Sequence, residues 1–184
     1  MASGLTVRPA EERDVASMLD ITCREIREGV AHFGTRAPTI DEALAEYGAR
    51  GVYPWFAADL EGSGVVGFAK AGQWKSREAY HWTAEIGVYV RPEHHGVGIG
   101  RSLYAALFPA MVQAGLRTII AGIALPNPAS VRLHEAFGMR HAGTIPRAGY
   151  KHGRWLDVGY WVRHLGEGDP GSVNPTTVAT TARD

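Results

Sequence analysis

Residues 85–107, EIGVYVRPEHHGVGIGRSLYAAL, constrain the fold more than any other stretch of this chain. Residues 85–90 are rich in β-branched and aromatic side chains and read as a strand. Arg91-Pro92-Glu93 stops it, because Pro92 has no N–H to give a neighbouring strand. Gly96, Gly98 and Gly100 then alternate with Val97 and Ile99, and Leu103, Leu107 and Met111 follow at near-helical spacing. The stretch is therefore strand, glycine turn, helix. Glycines ahead of a helix let several N–H groups converge on one point with no Cβ in the way. Together with the positive end of the helix dipole they make an anion site that suits a phosphate. Arg91 and Arg101 are the cations nearest to it in sequence. The same glycines also suit a purely structural turn. A dinucleotide-binding fold is disfavoured, since several strands precede this turn and no acidic residue ends the next strand near position 120.

The flanking chain predicts what packs around that turn. Residues 5–8 read as a short strand ended by Pro9, and 13–27 carry Val15, Met18, Leu19, Cys23 and Ile26 at helical spacing. A loop over 28–38 holds His32 and Phe33, and Thr39 or Asp41 is placed to cap a second helix ending at Ala49. Strands at 55–60 and 65–71 flank an EGSG hairpin turn, and 82–90 is the next strand. The near-continuous apolar run TIIAGIA, 118–124, is expected to be a strand buried on both faces. A short helix over 130–137 follows, then strands at 139–148 and 154–162 separated by GYKHG. This order predicts an α/β fold, a mixed central sheet with flanking helices. One domain over 1–165 is expected, with a flexible tail over 166–184, where Gly, Pro, Ser and Thr dominate.

Charge and composition remove several function classes. Lys plus Arg and Asp plus Glu are both 19, so the net charge is zero, which argues against a dedicated nucleic-acid binder. Cys23 is the single cysteine, so no internal disulfide forms and a cytoplasmic setting is expected. No apolar run reaches the roughly 18 residues of a membrane-spanning helix. The N-terminal stretch MASGLTVRPAEERD lacks the apolar core of a signal peptide.

His95-Gly96-Val97-Gly98-Ile99-Gly100 resembles the acetyl-CoA signature Q/R-x-x-G-x-G/A of the GNAT superfamily of N-acetyltransferases, with His at the first position. The blocks YPWFAAD (53–59), WKSREAYHWTAE (74–85), LPNPASVRLHEAFGM (125–139) and AGYKHGRWLDVGYW (148–161) are similar to phosphinothricin N-acetyltransferases. The resemblance implies the GNAT fold, acetyl-CoA as cosubstrate and a small amino acid such as phosphinothricin, methionine sulfoximine or methionine sulfone as acceptor. It also implies a homodimer, and it carries no metal, nucleic acid or membrane. The cofactor set it implies is Val88, Tyr89, Val90, His95, Gly96, Val97, Gly98, Ile99, Gly100, Arg101 and Asn127. Phe33, Lys75, Arg77, Tyr80 and Thr83 are implied to line the acceptor pocket.

The chemistry agrees with those positions. An attacking amine must first lose a proton, and Glu85, on the strand beside the glycine turn, is the candidate base. It also suits an ordinary surface salt bridge. His134 is placed to assist proton removal or to pack its helix, and Tyr104 to protonate the leaving thiolate or to pack. Asn127 is placed to contact the cofactor or to cap the helix behind it. Strand 88–90 can offer backbone groups to the peptide-like pantetheine arm. His81, His134 and His152 have no metal-ligand spacing. Trp155 and Tyr160 are expected in the core or at a subunit contact. Two rival readings remain: acetyl transfer to another amine (a polyamine, an aminoglycoside or a protein N-terminus), and a non-catalytic acyl-CoA sensor.

Overall fold

In this computed structural model residues 4–166 are described. Seven strands form one sheet: β1 (Leu5–Pro9), β2 (Trp55–Leu60), β3 (Gly64–Gln73), β4 (Thr83–Val90), β5 (Thr118–Leu125), β6 (Arg140–Lys151) and β7 (Arg154–His164). Their order across the sheet is β1-β2-β3-β4-β5-β7-β6. Every neighbouring pair is antiparallel except β4 and β5. Two helices, α1 (Val15–Glu28) and α2 (Ile40–Gly48), connect β1 to β2. The parallel crossover from β4 to β5 is made by α3 (Ile99–Gln113), and α4 (Pro128–Ala136) follows β5. The expected tail lies outside the described residues, apart from Gly166.

Each face of the sheet has its own apolar layer. The spacing of Leu103, Leu107 and Met111 on α3 turns one stripe onto Val66, Ala84, Ile86, Ile119 and Ala121. Burying side chains of this size stabilises the fold by about 1.5–3 kcal/mol each. On the opposite face Val15, Met18 and Ile21 of α1 and Tyr47 of α2 cover Trp55, Ala57 and Phe68. Thr39 is the cap of α2: its hydroxyl accepts from Glu42 N–H at 3.2 Å, and the Glu42 carboxylate accepts from Thr39 N–H at 2.8 Å. Arg8 ties β1 to the start of α1 and to β2 through Asp14 at 2.6 Å and Asp59 at 3.2 Å.

The feature that makes a site is the partial pairing of β4 with β5. They pair at Thr83↔Thr118, Ala84↔Ile119 and Glu85↔Ile120 and no further. Beyond Glu85 each strand follows its outer partner, β4 staying with β3 up to Val90 and β5 with β7 up to Leu125. The sheet is thus split from Ile86 and Ala121 onward. This corrects the expectation that β5 is buried on both faces: its burial alternates, and Gly122 is exposed to the opening.

Three other expectations shift. The turn between the last two strands is His152-Gly153 alone, both at positive φ (48° and 74°), because β6 and β7 keep pairing to Lys151↔Arg154. Of the two places expected for Trp155, the core is excluded: it is 52% exposed, its indole in contact with Tyr150 and the Arg147 guanidinium. Cys23, whose place on the apolar face of the first helix predicts a core residue, is half-buried on α1.

Candidate active site

The split holds a cavity of about 640 Å³, whose walls come from β3, β4, β5, β6, β7, α2, the start of α4 and the 31–34 loop. Glu85 stands at the point where the strands part, the last β4 residue paired to β5. Two residues beyond its β5 partner Ile120 is Gly122, where a Cβ would lie 3.6 Å from Glu85 Oε1 and 3.5 Å from the Tyr160 ring. The Glu85 side chain makes no hydrogen bond or ion pair with any described residue. Its carboxylate is open to the cavity, yet the walls remove enough solvent to push its pKa above the ordinary carboxylate value. The Ile86 side chain packs in the layer under α3, while Tyr160 and Val158 lie around Gly122 beside the Glu85 carboxylate.

The edge of β4 beyond Glu85 is unpaired. Arg91 N–H donates to Val66 O across the β3 ladder at 2.8 Å. Counting back in steps of two, Tyr89, Gly87 and Glu85 bond to β3, so the N–H and C=O of Ile86, Val88 and Val90 point into the split. The carbonyl of Val90 is taken by His95, whose Nε2–H lies 2.8 Å away. The Val88 groups remain as an open edge able to pair with an extended amide-bearing ligand. Val88 and Tyr89 line the cavity, whereas Val90 and residues 95–101 lie beyond its wall.

The glycine turn leads into α3 as expected of an anion site. Gly98 is the residue before the helix, at φ 92°, a conformation an L side chain resists. The first α3 hydrogen bond is Ser102 N–H to Gly98 O, so the helix leaves the N–H groups of Ile99, Gly100 and Arg101 without a partner. A Cβ on Gly100 would sit 3.1 Å from Leu133 and 3.9 Å from Val88, so this glycine lets α3, α4 and β4 meet closely. Val97 is 49% exposed while Ile99 is buried at 1%, which fixes the turn from one side. Arg101 lies over the Phe137 ring, its guanidinium carbon 5.8 Å from the centroid.

Asn127 does one of its two suggested jobs visibly. Its Oδ1 accepts from Ser130 N–H at 3.1 Å and caps α4. The residue also lines the cavity, leaving the side-chain NH₂ as a donor there. His134, one turn on, is buried and reaches the same cavity. Its Nδ1 is 2.7 Å from the Ser130 carbonyl, which can only accept, so Nδ1 carries the proton. Nε2 then accepts from the Tyr104 hydroxyl at 2.8 Å. Burial holds the His134 pKa below the usual imidazole value against the opposing Ser130 bond. Tyr104 is fully buried, and that burial pushes its phenol well above the usual tyrosine value. It touches the cavity only through His134.

The acceptor side departs from the expected set. Phe33 lines the cavity, its ring lying against Gly149 of β6, where a Cβ would come within 2.3 Å of it. Lys75, Arg77, Tyr80 and Thr83 are not in the wall. Their segment turns outward: Lys75 Nζ stands 5.4 Å from the Trp74 ring centroid and 5.5 Å from that of Tyr80. Trp74 packs edge-on against Tyr160, 5.9 Å between centroids, so the segment reaches the rim through that contact. Tyr160 itself is in the wall and not in the core. Lys70, Glu46 and His32 line the cavity as well. The signal that marks Lys70 in sequence is a lone charge in the apolar run 65–71.

Comparison with known proteins agrees with this architecture. Residues 18–139 match the Acetyltransferase (GNAT) family. A phosphinothricin N-acetyltransferase of Streptomyces viridochromogenes is 42% identical over 173 residues, 93% of this chain and 94% of the relative. An L-methionine sulfoximine/L-methionine sulfone acetyltransferase of Salmonella typhimurium is 35% identical over 164 residues, 89% of this chain and 96% of the relative. The crystal structure of a phosphinothricin acetyltransferase from Sinorhizobium meliloti in complex with acetyl-CoA superposes with a TM-score of 0.89 at 33% identity, covering 95% of this chain and 97% of that one. A split sheet with a free strand edge, a glycine turn at a helix start and this likeness along nearly the whole chain lead to one conclusion: the chain belongs to the GNAT family of acetyltransferases.

Proposed function

We propose that this protein transfers the acetyl group of acetyl-CoA to the α-amine of a small amino acid, such as phosphinothricin, methionine sulfoximine or methionine sulfone. Transfer is direct, within a ternary complex. The observation that carries this reading is Glu85: an unpaired carboxylate of raised pKa at the apex of the split, beside the open edge of Val88. The names of the relatives support the acceptor class.

Val88 and the Asn127 NH₂ hold the amide groups of the pantetheine arm, and the free N–H groups at the start of α3 face its pyrophosphate. Glu85 takes the proton of the ammonium, directly or through a water, and a base of raised pKa does so more readily. Val88 N–H donates to the carbonyl oxygen as negative charge gathers on it, the contribution of a preorganised dipole. Phe33 bounds the acceptor side. A cytoplasmic homodimer belongs to the same proposal on the strength of the resemblance.

Thiol release from acetyl-CoA, measured against a panel of amines, tests the reading. Turnover with the three amino acids and not with polyamines or peptides is expected. Turnover with a peptide alone would move the acceptor to a protein N-terminus, and turnover with none would leave an acyl-CoA sensor.

A further inference from the structure

Lys70 is the one lysine or arginine among the described residues lining the cavity. Its place follows from register. Lys70 stands opposite Gly87, and Gly72 opposite Glu85, two rungs apart on the β3–β4 ladder with Ala71↔Ile86 between them. Directly opposed residues share a face, and so do residues two apart along a strand, so all four project to the cavity side. Lys70 and Glu85 occupy one diagonal of this rectangle and the two glycines the other. No atom would lie within 4 Å of a Cβ on Gly72, while one on Gly87 would meet the Tyr89 ring at 3.3 Å, so the floor between base and cation is open on the β3 side and bounded by Tyr89 on the β4 side. Such a diagonal spans about 7–8 Å.

Building on the acetyltransferase reading, we infer that Lys70 is a specificity residue, binding an anionic group at the side-chain end of the acceptor while its amine sits at Glu85. An α-carboxylate is one carbon from the amine and stays beside it. A phosphinate is three carbons away and extends across the glycine floor. Lys70 is at present held by Glu46 of α2 at 2.5 Å, with Trp55 under its ammonium at 4.8 Å. Glu46 is 59% exposed, and ion pairs of this kind contribute about 0–1 kcal/mol, so an incoming anion displaces it at little cost. His32, in the same part of the wall, is held below its usual pKa by burial and then by the positive charges of Lys70 and Lys151, in keeping with a field that favours anions.

Phosphinothricin and methionine sulfone make the test, because their chains place an anionic and a neutral tetrahedral group at the same distance. The quantity to measure is the ratio of kcat/KM for phosphinothricin over methionine sulfone. Lys70→Met is expected to lower that ratio about tenfold or more, chiefly through the KM for phosphinothricin, as loss of a charged hydrogen bond implies. Lys70→Arg should hold the ratio near wild type, and Glu46→Gln should raise it. These two variants keep the side-chain volume and read the effect if Lys70→Met folds poorly. A ratio changed less than threefold in Lys70→Met, or an equal fall on both acceptors, overturns the assignment while leaving the acetyltransferase reading intact. A wild-type protein that acetylates neither acceptor overturns that reading, and this one with it.

Discussion

The polar residues of the cavity are unequal in what they are free to do. The Glu85 carboxylate has no hydrogen-bond or ion-pair partner among the described residues, and its raised pKa follows from burial alone. His134 has a partner on each ring nitrogen, which leaves it a neutral, oriented ring with no lone pair to spare for an amine. Tyr104 is held as the donor in that pair and would protonate a leaving thiolate only by turning its O–H away from His134. A thiolate leaves readily, so such help is of small value to the reaction. Tyr104→Phe is therefore expected to keep kcat within about threefold of wild type. It should destabilise the fold by about 1–2 kcal/mol, since His134 Nε2 is left buried without its donor. Denaturant unfolding and steady-state rates on one preparation separate the two effects. A tenfold or greater fall in kcat would make Tyr104 the acid.

At the scale of elements, the acceptor wall depends on a latch between the β6–β7 hairpin and the loop after α1. Lys151 is buried, and its ammonium donates to the His32 carbonyl at 2.6 Å and the Glu25 carbonyl at 3.4 Å. His152 Nε2–H donates to Gly29 O at 3.0 Å. Between these ties the loop presents His32 and Phe33 to the cavity. Lys151→Met removes the donor that fixes the His32 carbonyl, and a small displacement of a positioning residue is enough to disturb substrate alignment. The expected result is an acceptor KM raised about three- to tenfold with the acetyl-CoA KM within twofold, read from initial rates at varied concentrations of each. The strand, helix and turn order was legible in sequence because the apolar periodicities of 65–71 and 103–111 each allow one reading. The latch was not, since Lys151 and His32 meet only after the whole sheet is built.

For the molecule as a whole, the central device is a sheet that pairs through Glu85 and Ile120 and then opens. The glycine turn and Glu85 could be chosen from sequence because each sits in a local pattern: strand, proline stop, alternating glycines. Lys70, Gly122 and Tyr160 could not, because their nearness to Glu85 is set by register across three different ladders. The outward turn of Lys75 and Arg77 is likewise a matter of tertiary path, as their charge alone gave no direction. Because Glu85 has a raised pKa in the folded state, its ionisation works against stability once pH rises through that value. Glu85→Gln is thus expected to fold at least as well as wild type at neutral pH, so a loss of turnover in that variant reports chemistry. The most direct test of the account is the pH dependence of kcat/KM for the amino-acid acceptor in wild type and in Glu85→Gln. The account predicts an acid limb in wild type above the ordinary carboxylate range. In the variant it predicts turnover lower by about a hundredfold, that limb gone, and an unchanged acetyl-CoA dissociation constant. Wild-type-like turnover with the limb retained in Glu85→Gln would contradict it.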